Sequence, residues 1–308
     1  MSKAFLDTLS IQPSFECNYN CPYCYLGDLR KNKTLLNLNT LKYRLIEILK
    51  GYEIRNITLY GGEISLLSKD YLKSLVDMCK GVGTTPAIVS NLSNDWIIDF
   101  CEDNQLPLSI SLNEERPYYK ETLEKVRGLK NKHNKNLSIV VLPSLLKKDH
   151  RELMEFYSSL GIDLFFIQYH PSIHSKISYS IAVKEFSDFL RNMIAQSRTY
   201  DYGIKIINEE ILRNPDYNPL MSGFLFITPE GKFSTVEYRS RIEHYIDFDS
   251  LEEWKEYCKK EYREYYQKCN LCKYFGKCKA EHLEIMGEEN CSGLYDLQEW
   301  YEESKWNL

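Results

Sequence analysis

The stretch ECNYNCPYCYLGD, residues 16–28, places three cysteines within eight residues: Cys17, Cys21 and Cys24. It follows directly on TLSIQPSF (8–15), a short apolar run of strand character. A closed structural zinc site needs four ligands, and the candidates for a fourth are poor, because the first histidine of the chain is His133. An iron–sulfur cluster held by three thiolates would instead leave one iron without a protein ligand, open to a small molecule.

The chain around this loop is 308 residues long and 43% apolar, enough for a substantial core. Its 44 acidic and 39 basic residues are mixed along the sequence and leave a formal charge of −5. Neither a nucleic-acid partner nor a membrane surface is expected from that balance. MSKAFLDTLS lacks the pattern of a secretory signal, and no run reaches the roughly eighteen apolar residues that span a bilayer. The expected location is the cytoplasm. In a reducing compartment, clustered cysteines are metal ligands or catalytic thiols before they are disulfides. Seven of the ten cysteines fall in two groups, the three above and Cys269, Cys272, Cys278 and Cys291. Cys79, Cys101 and Cys258 stand singly in helical patterns and are expected to pack.

Between the two groups, strands and helices alternate. NITLY (56–60), PAIVS (86–90), LPLSISL (106–112), LSIVVLP (137–143) and DLFFIQY (163–169) are strand-like. Amphipathic stretches at 38–52, 68–81, 93–104, 117–133, 149–161 and 182–197 have helical spacing. Six strand-then-helix units predict a parallel sheet covered by helices, either an open doubly wound sheet or an incomplete barrel. Periodicity does not choose between them. Beyond about residue 200 the pattern changes. GFLFITPEGKFSTVEY (223–238) predicts a hairpin turning at Pro229, Glu230 and Gly231, followed by helices over 250–269 and 294–306. Two domains are expected, residues 1–200 and 201–308.

YGGEIS (60–65) follows the strand NITLY without a gap. Two glycines there allow close backbone approach, and a glutamate beside them can accept hydrogen bonds from an ammonium group. With this second motif the chain resembles the radical S-adenosylmethionine (SAM) enzymes. The resemblance covers roughly residues 8–170 and implies an α/β fold, a partial (β/α)6 TIM-like barrel. It implies Cys17, Cys21 and Cys24 as ligands of an open-iron 4Fe-4S cluster, Tyr23 beside the adenine of SAM, and Gly61, Gly62 and Glu63 around its methionine ammonium. Asn91 in VSNLS (89–93) and Ser111 in SISLNEERP (109–117) stand where these enzymes contact the cofactor, although Asn113 and Glu114 replace the usual acid and glycine.

The C-terminal part resembles a reduced SPASM or twitch extension, a small β-hairpin plus helix that binds an auxiliary cluster. Cys269, Cys272, Cys278 and Cys291 supply four thiolates, enough to close one 4Fe-4S cluster, or a zinc ion by the same ligands. Met221, Val236 and His282 occupy places where the full pattern has further cysteines. Two clusters in all are therefore expected. The implied activity is reductive cleavage of SAM to a 5'-deoxyadenosyl radical that abstracts a hydrogen atom from substrate, an oxidoreductase-type reaction fed by an electron donor such as flavodoxin or ferredoxin. The expected substrate is a peptide or protein side chain that is cross-linked, oxidised or epimerised. A small molecule such as a sugar or nucleoside is the alternative, and a non-catalytic metal-binding module the remote one. Candidate substrate contacts are Gln168, Tyr169 and His170 at the end of the sixth strand and Glu237, Tyr238 and Arg239 after the hairpin turn.

Overall fold

The computed structural model describes residues 3–177, 180–214, 224–239, 242–278 and 292–304. Six strands, β1 (Ala4–Ile11), β2 (Tyr52–Leu59), β3 (Ala87–Ser90), β4 (Leu108–Ser111), β5 (Lys135–Val141) and β6 (Asp163–Gln168), run parallel in chain order across one sheet. Helices return the chain between them: α1 (Leu38–Leu49), α2 (Lys69–Gly81), α3 (Trp96–Asp103), α4 (Tyr119–Arg127), the short α5 (Pro143–Leu146) and α6 (His150–Leu160). After α7 (Val183–Thr199) and α8 (Ile207–Arg213), β7 (Phe224–Ile227) adds to the free edge of β1, again parallel. β8 (Phe233–Arg239) and β9 (Ile242–Phe248) extend that edge antiparallel. The sheet thus has nine strands in the order β6-β5-β4-β3-β2-β1-β7-β8-β9 and curls into a partial barrel. A bridge between Ser172, after β6, and Glu243 on β9 joins its two edges. α9 (Leu251–Cys269) and α10 (Ser292–Ser304) follow.

The two faces of the sheet differ in chemistry, and this difference positions the site. Leu9, Ile11, Leu59, Ile88, Ile110 and Ile139 point outward under the helices and are fully buried. The alternate positions Thr58, Val89, Ser109, Ser111, Asn136 and Val140 line the concave face and are half-exposed. Ser109 and Ser138 hydroxyls bond across β4 and β5 there, and Asn136 Nδ2 donates to Ser109 Oγ at 2.9 Å. Helix starts follow the capping chemistry of the sequence. Asn37, Ser68, Asp149 and Ser250 each accept first-turn N–H groups of the helix they open.

Some boundaries differ from the sequence expectation. β1 spans residues 4–11 and stops before Pro13, which has no N–H to give to a ladder. β9 and α8 were not anticipated. IEHYIDF stays only half-buried and forms its strand by pairing with β8. β7 bonds directly to β1, Thr8 opposite Phe224 and Ile11 opposite Ile227. No helix among the described residues is long and apolar enough to cross a membrane.

Asn113, just past β4, serves as a rung of the sheet. Its Nδ2 donates to the Val140 carbonyl at 2.7 Å, and its Oδ1 accepts from the Val140 N–H at 3.0 Å. Asn113→Leu leaves both backbone groups of Val140 without these partners, and should lower unfolding free energy by about 2–4 kcal/mol in urea titrations.

Candidate active site

The loop after β1 is fixed at both ends. Cys17 N–H donates to the Arg30 carbonyl (3.1 Å), Cys24 N–H to that of Cys21 (3.2 Å), and Gly27 N–H to that of Cys24 (3.2 Å). The segment after β6 crosses behind it. Ser172 Oγ donates to the Tyr25 carbonyl at 2.5 Å, and Gly27, at φ +48°, has no room for a Cβ against the His174 carbonyl. All three thiols are half-buried. Burial pushes the Cys17 thiol up to about 11; Glu63, Cys24 and Cys21 add to the rise, and the Tyr19 amide, which donates to Cys17 Sγ at 3.4 Å, opposes it. Burial also raises Cys21, and the Arg116 cation opposes that rise. Cys17 and Cys21 are both coupled electrostatically to Cys24.

The Gly-Gly-Glu turn is pressed against this loop. Gly62 N–H donates to the Ser14 carbonyl at 2.9 Å and Glu63 N–H to the Glu16 carbonyl at 2.8 Å. A Cβ on Gly62 would lie 2.0 Å from the Glu16 oxygen, and one on Gly61, at φ +146°, 2.6 Å from that of Ser14. The glycines therefore admit the backbone that carries the cysteines. Glu63 is 4% exposed, and its carboxylate accepts from Ser65 N–H (2.9 Å), Ser90 Oγ (2.6 Å) and Asn91 N–H (2.7 Å). It ties the end of β2 to the end of β3, and Asn91 Nδ2 then lies 3.9 Å from Cys17 Sγ.

Tyr23 is buried, packs edge-on against Tyr169 and shares a cluster with Leu142 and Ile181. Its hydroxyl accepts from Arg116 Nε at 2.8 Å. Ser111 is half-exposed at the end of β4 on the concave face. Gln168 Nε2 donates to the Ile181 carbonyl (2.7 Å), Tyr169 hydroxyl to that of Ile177 (3.1 Å), and His170 is buried beside them in sequence. Glu237, Tyr238 and Arg239 form the end of β8, opposite His244, Glu243 and Ile242. The structure thus gathers Cys17, Glu63 and Asn91 closely and places Tyr23 with Tyr169. Two residues escaped the sequence analysis. Arg116, the single cation of SISLNEERP, faces Cys21, and Gln12, the residue after the end of β1, is fully buried.

The second cysteine group starts where α9 ends. Cys272 N–H donates to the Cys269 carbonyl (2.9 Å), and Tyr274 N–H donates to Cys272 Sγ (3.4 Å), the same two-residue pattern as Cys17 and Tyr19. The loop is held by Phe275 stacked on Tyr265 and by Lys273 paired with Glu299 of α10 at 2.7 Å. Cys278 is half-buried; Val236 is buried on β8; Cys291, His282 and Met221 lie outside the described residues. Among the described residues no three His, Cys, Asp or Glu side chains are gathered on a single metal-ion position. Three thiols from one loop, with a backbone N–H on one sulfur and a guanidinium near another, are a donor set suited to an iron–sulfur cluster.

Residues 14–97 match the family model of the 4Fe-4S single cluster domain. The chain is 23% identical to the cysteine-type anaerobic sulfatase-maturating enzyme of Clostridium novyi (strain NT), over 60% of this chain. That alignment spans 58% of the relative's length. Its fold is similar to that of anSMEcpe with bound AdoMet and Cp18Cys peptide, with a TM-score of 0.66, 16% identity and 97% of both chains covered. It is also similar to Streptococcus suis SuiB bound to S-adenosylmethionine, with a TM-score of 0.66, 14% identity, and 95% of this chain and 76% of that one covered. At such identities these structures speak for the partial barrel. On that barrel the three-cysteine loop and the Gly-Gly-Glu turn are docked together, and in this arrangement the chain is similar to radical SAM enzymes.

Two substitutions test the docking. Gly62→Ala should cost at least about 2 kcal/mol, because the added methyl meets a carbonyl oxygen and not a flexible side chain. Glu63→Gln turns one acceptor toward a buried donor and should cost about 2 kcal/mol, both read by chemical denaturation of the metal-free chain.

Proposed function

We propose that this chain is a radical SAM enzyme that modifies a side chain of a peptide or protein. The observation that carries the proposal is the locking of the cysteine loop to the Gly-Gly-Glu turn, which leaves Cys17, Glu63 and Asn91 around one point at the barrel mouth. The peptide part draws support from the similar folds of anSMEcpe, solved with the Cp18Cys peptide, and of Streptococcus suis SuiB, solved with the precursor peptide SuiA.

In this proposal Cys17, Cys21 and Cys24 hold a four-iron cluster with one iron left open. Tyr23, Gly61, Gly62, Glu63, Asn91 and Ser111 border the place for SAM. When bound, the cluster and SAM supply the one-electron chemistry that removes a hydrogen atom from a C–H bond. The chain's own part is positional. Glu63, through Asn91, orients the amide nearest Cys17, and Arg116 fixes the Tyr23 hydroxyl while placing its charge by Cys21. The half-exposed concave face gives substrate a walled approach, with Gln168, Tyr169 and His170 on one side and Glu237, Tyr238 and Arg239 on the other as substrate contacts. Cys269, Cys272 and Cys278, with Cys291, would close an auxiliary cluster, and a flavodoxin or ferredoxin would supply electrons.

Replacing Cys17, Cys21 and Cys24 with Ala should abolish formation of 5'-deoxyadenosine from SAM and dithionite; persistence of that product would remove the radical SAM assignment. Anaerobic reconstitution should load about eight irons per chain, falling to about four when Cys269 and Cys272 become Ala. Four irons with one zinc in the unaltered chain would assign the second group to zinc.

A further inference from the structure

Four aromatic rings meet in a closed circuit beside the cysteine loop. Tyr25 lies 6.2 Å from Tyr60, Tyr60 6.3 Å from Phe226, Phe226 6.0 Å from Tyr245, and Tyr245 5.7 Å from Tyr25, centroid to centroid. They come from four places in the chain: Tyr25 follows Cys24, Tyr60 precedes Gly61, Phe226 is on β7 and Tyr245 on β9. Three of the rings are half-exposed and Phe226 is 8% exposed, so the circuit opens at the mouth of the barrel.

Gln12 adjoins it at Tyr25. Its side chain is fully buried, its Nε2 reaches the Tyr25 hydroxyl at 3.5 Å, and its Oε1 is a buried acceptor without a hydrogen-bond partner. A buried amide oxygen left in that state costs free energy that a donor would recover. The Tyr25 hydroxyl itself donates to the Gly61 carbonyl at 3.0 Å, which ties the circuit to the Gly-Gly-Glu turn.

We propose that Tyr25, Tyr60, Phe226 and Tyr245 form a box for a protonated amine, with Gln12 Oε1 as the acceptor beside Tyr25. Aromatic faces attract cations electrostatically within roughly 6 Å of a ring centroid. An ammonium also brings the N–H donors that Gln12 lacks. The ligand class is a lysine-like side chain or amino terminus. It would be held one residue from Cys24 and one from Gly61, next to the point where hydrogen is removed, and this last placement rests on the function proposed above.

The test is direct binding of n-butylammonium and of its neutral counterpart 1-butanol to the reconstituted protein, followed by ligand-observed NMR. The ammonium should bind at least about tenfold tighter than the alcohol. The double substitution of Phe226→Leu with Tyr245→Leu should erase that preference, and Gln12→Leu should weaken ammonium binding by about threefold or more. Tyr245→Phe, which keeps the ring face, should retain it. Equal binding of both probes by the unaltered protein, or an undiminished preference in a folded double variant, overturns the box. Binding is read without SAM turnover, which separates the two proposals. A protein that cleaves SAM but does not prefer the ammonium loses only the box, and one that prefers the ammonium but cleaves no SAM loses only the radical function.

Discussion

The structure depends on one close approach, between the turn after β2 and the loop after β1. Two backbone hydrogen bonds, Gly62 to Ser14 and Glu63 to Glu16, join segments that any side chain at Gly62 would hold apart. From that contact Glu63 reaches inward and is consumed by Ser65, Ser90 and Asn91. The carboxylate that the sequence suggests for an ammonium ligand thus also organises the ends of β2 and β3. A cofactor seated there would meet a frame set by backbone geometry, with few freely rotating side chains.

The barrel makes such a site possible by dividing its labour between the two faces of the sheet. The outward face is aliphatic and fully covered, so it supplies the stability of the fold. The concave face carries hydroxyls and amides that remain partly open. Polar residues on that face bond mainly to one another and to backbone, as Ser109, Ser138, Asn136 and Asn113 do, and other polar and aromatic side chains stand at the mouth. Gln12, Arg116 and the ring of aromatics all stand there. The nine-strand continuity matters for the same reason. β7 to β9 bring Phe226 and Tyr245 to the edge of the cysteine loop, so residues far along the chain complete the wall.

Much of this was legible in the sequence. Aliphatic runs separated by amphipathic helices announced the parallel sheet, and Asn37, Ser68 and Asp149 marked helix starts by local capping chemistry. The cysteine spacing and the Gly-Gly-Glu turn stood out because each is a contiguous string, and the structure docks the two against each other. What was not legible depends on partners distant in the chain. Gln12 looks like an ordinary strand-end residue until Tyr25 closes over it, and Arg116 looks like a loop cation until it meets Tyr23. Asn113, in the position of a missing acid, becomes a rung of the sheet only because β5 lies alongside. β9 is half-buried and pairs with β8, a partner the sequence does not identify.

The central claim is that the three-cysteine loop and the Gly-Gly-Glu turn form one cofactor site with an open iron. Electron paramagnetic resonance of the reduced, reconstituted protein, with Cys269, Cys272 and Cys278 replaced by Ala so that only the first cluster contributes, tests it most directly. Addition of SAM should shift the g-values of that cluster, because the cofactor becomes a ligand of the unprotected iron. A spectrum unchanged at saturating SAM, or no cluster signal at all from Cys17, Cys21 and Cys24, would contradict the account.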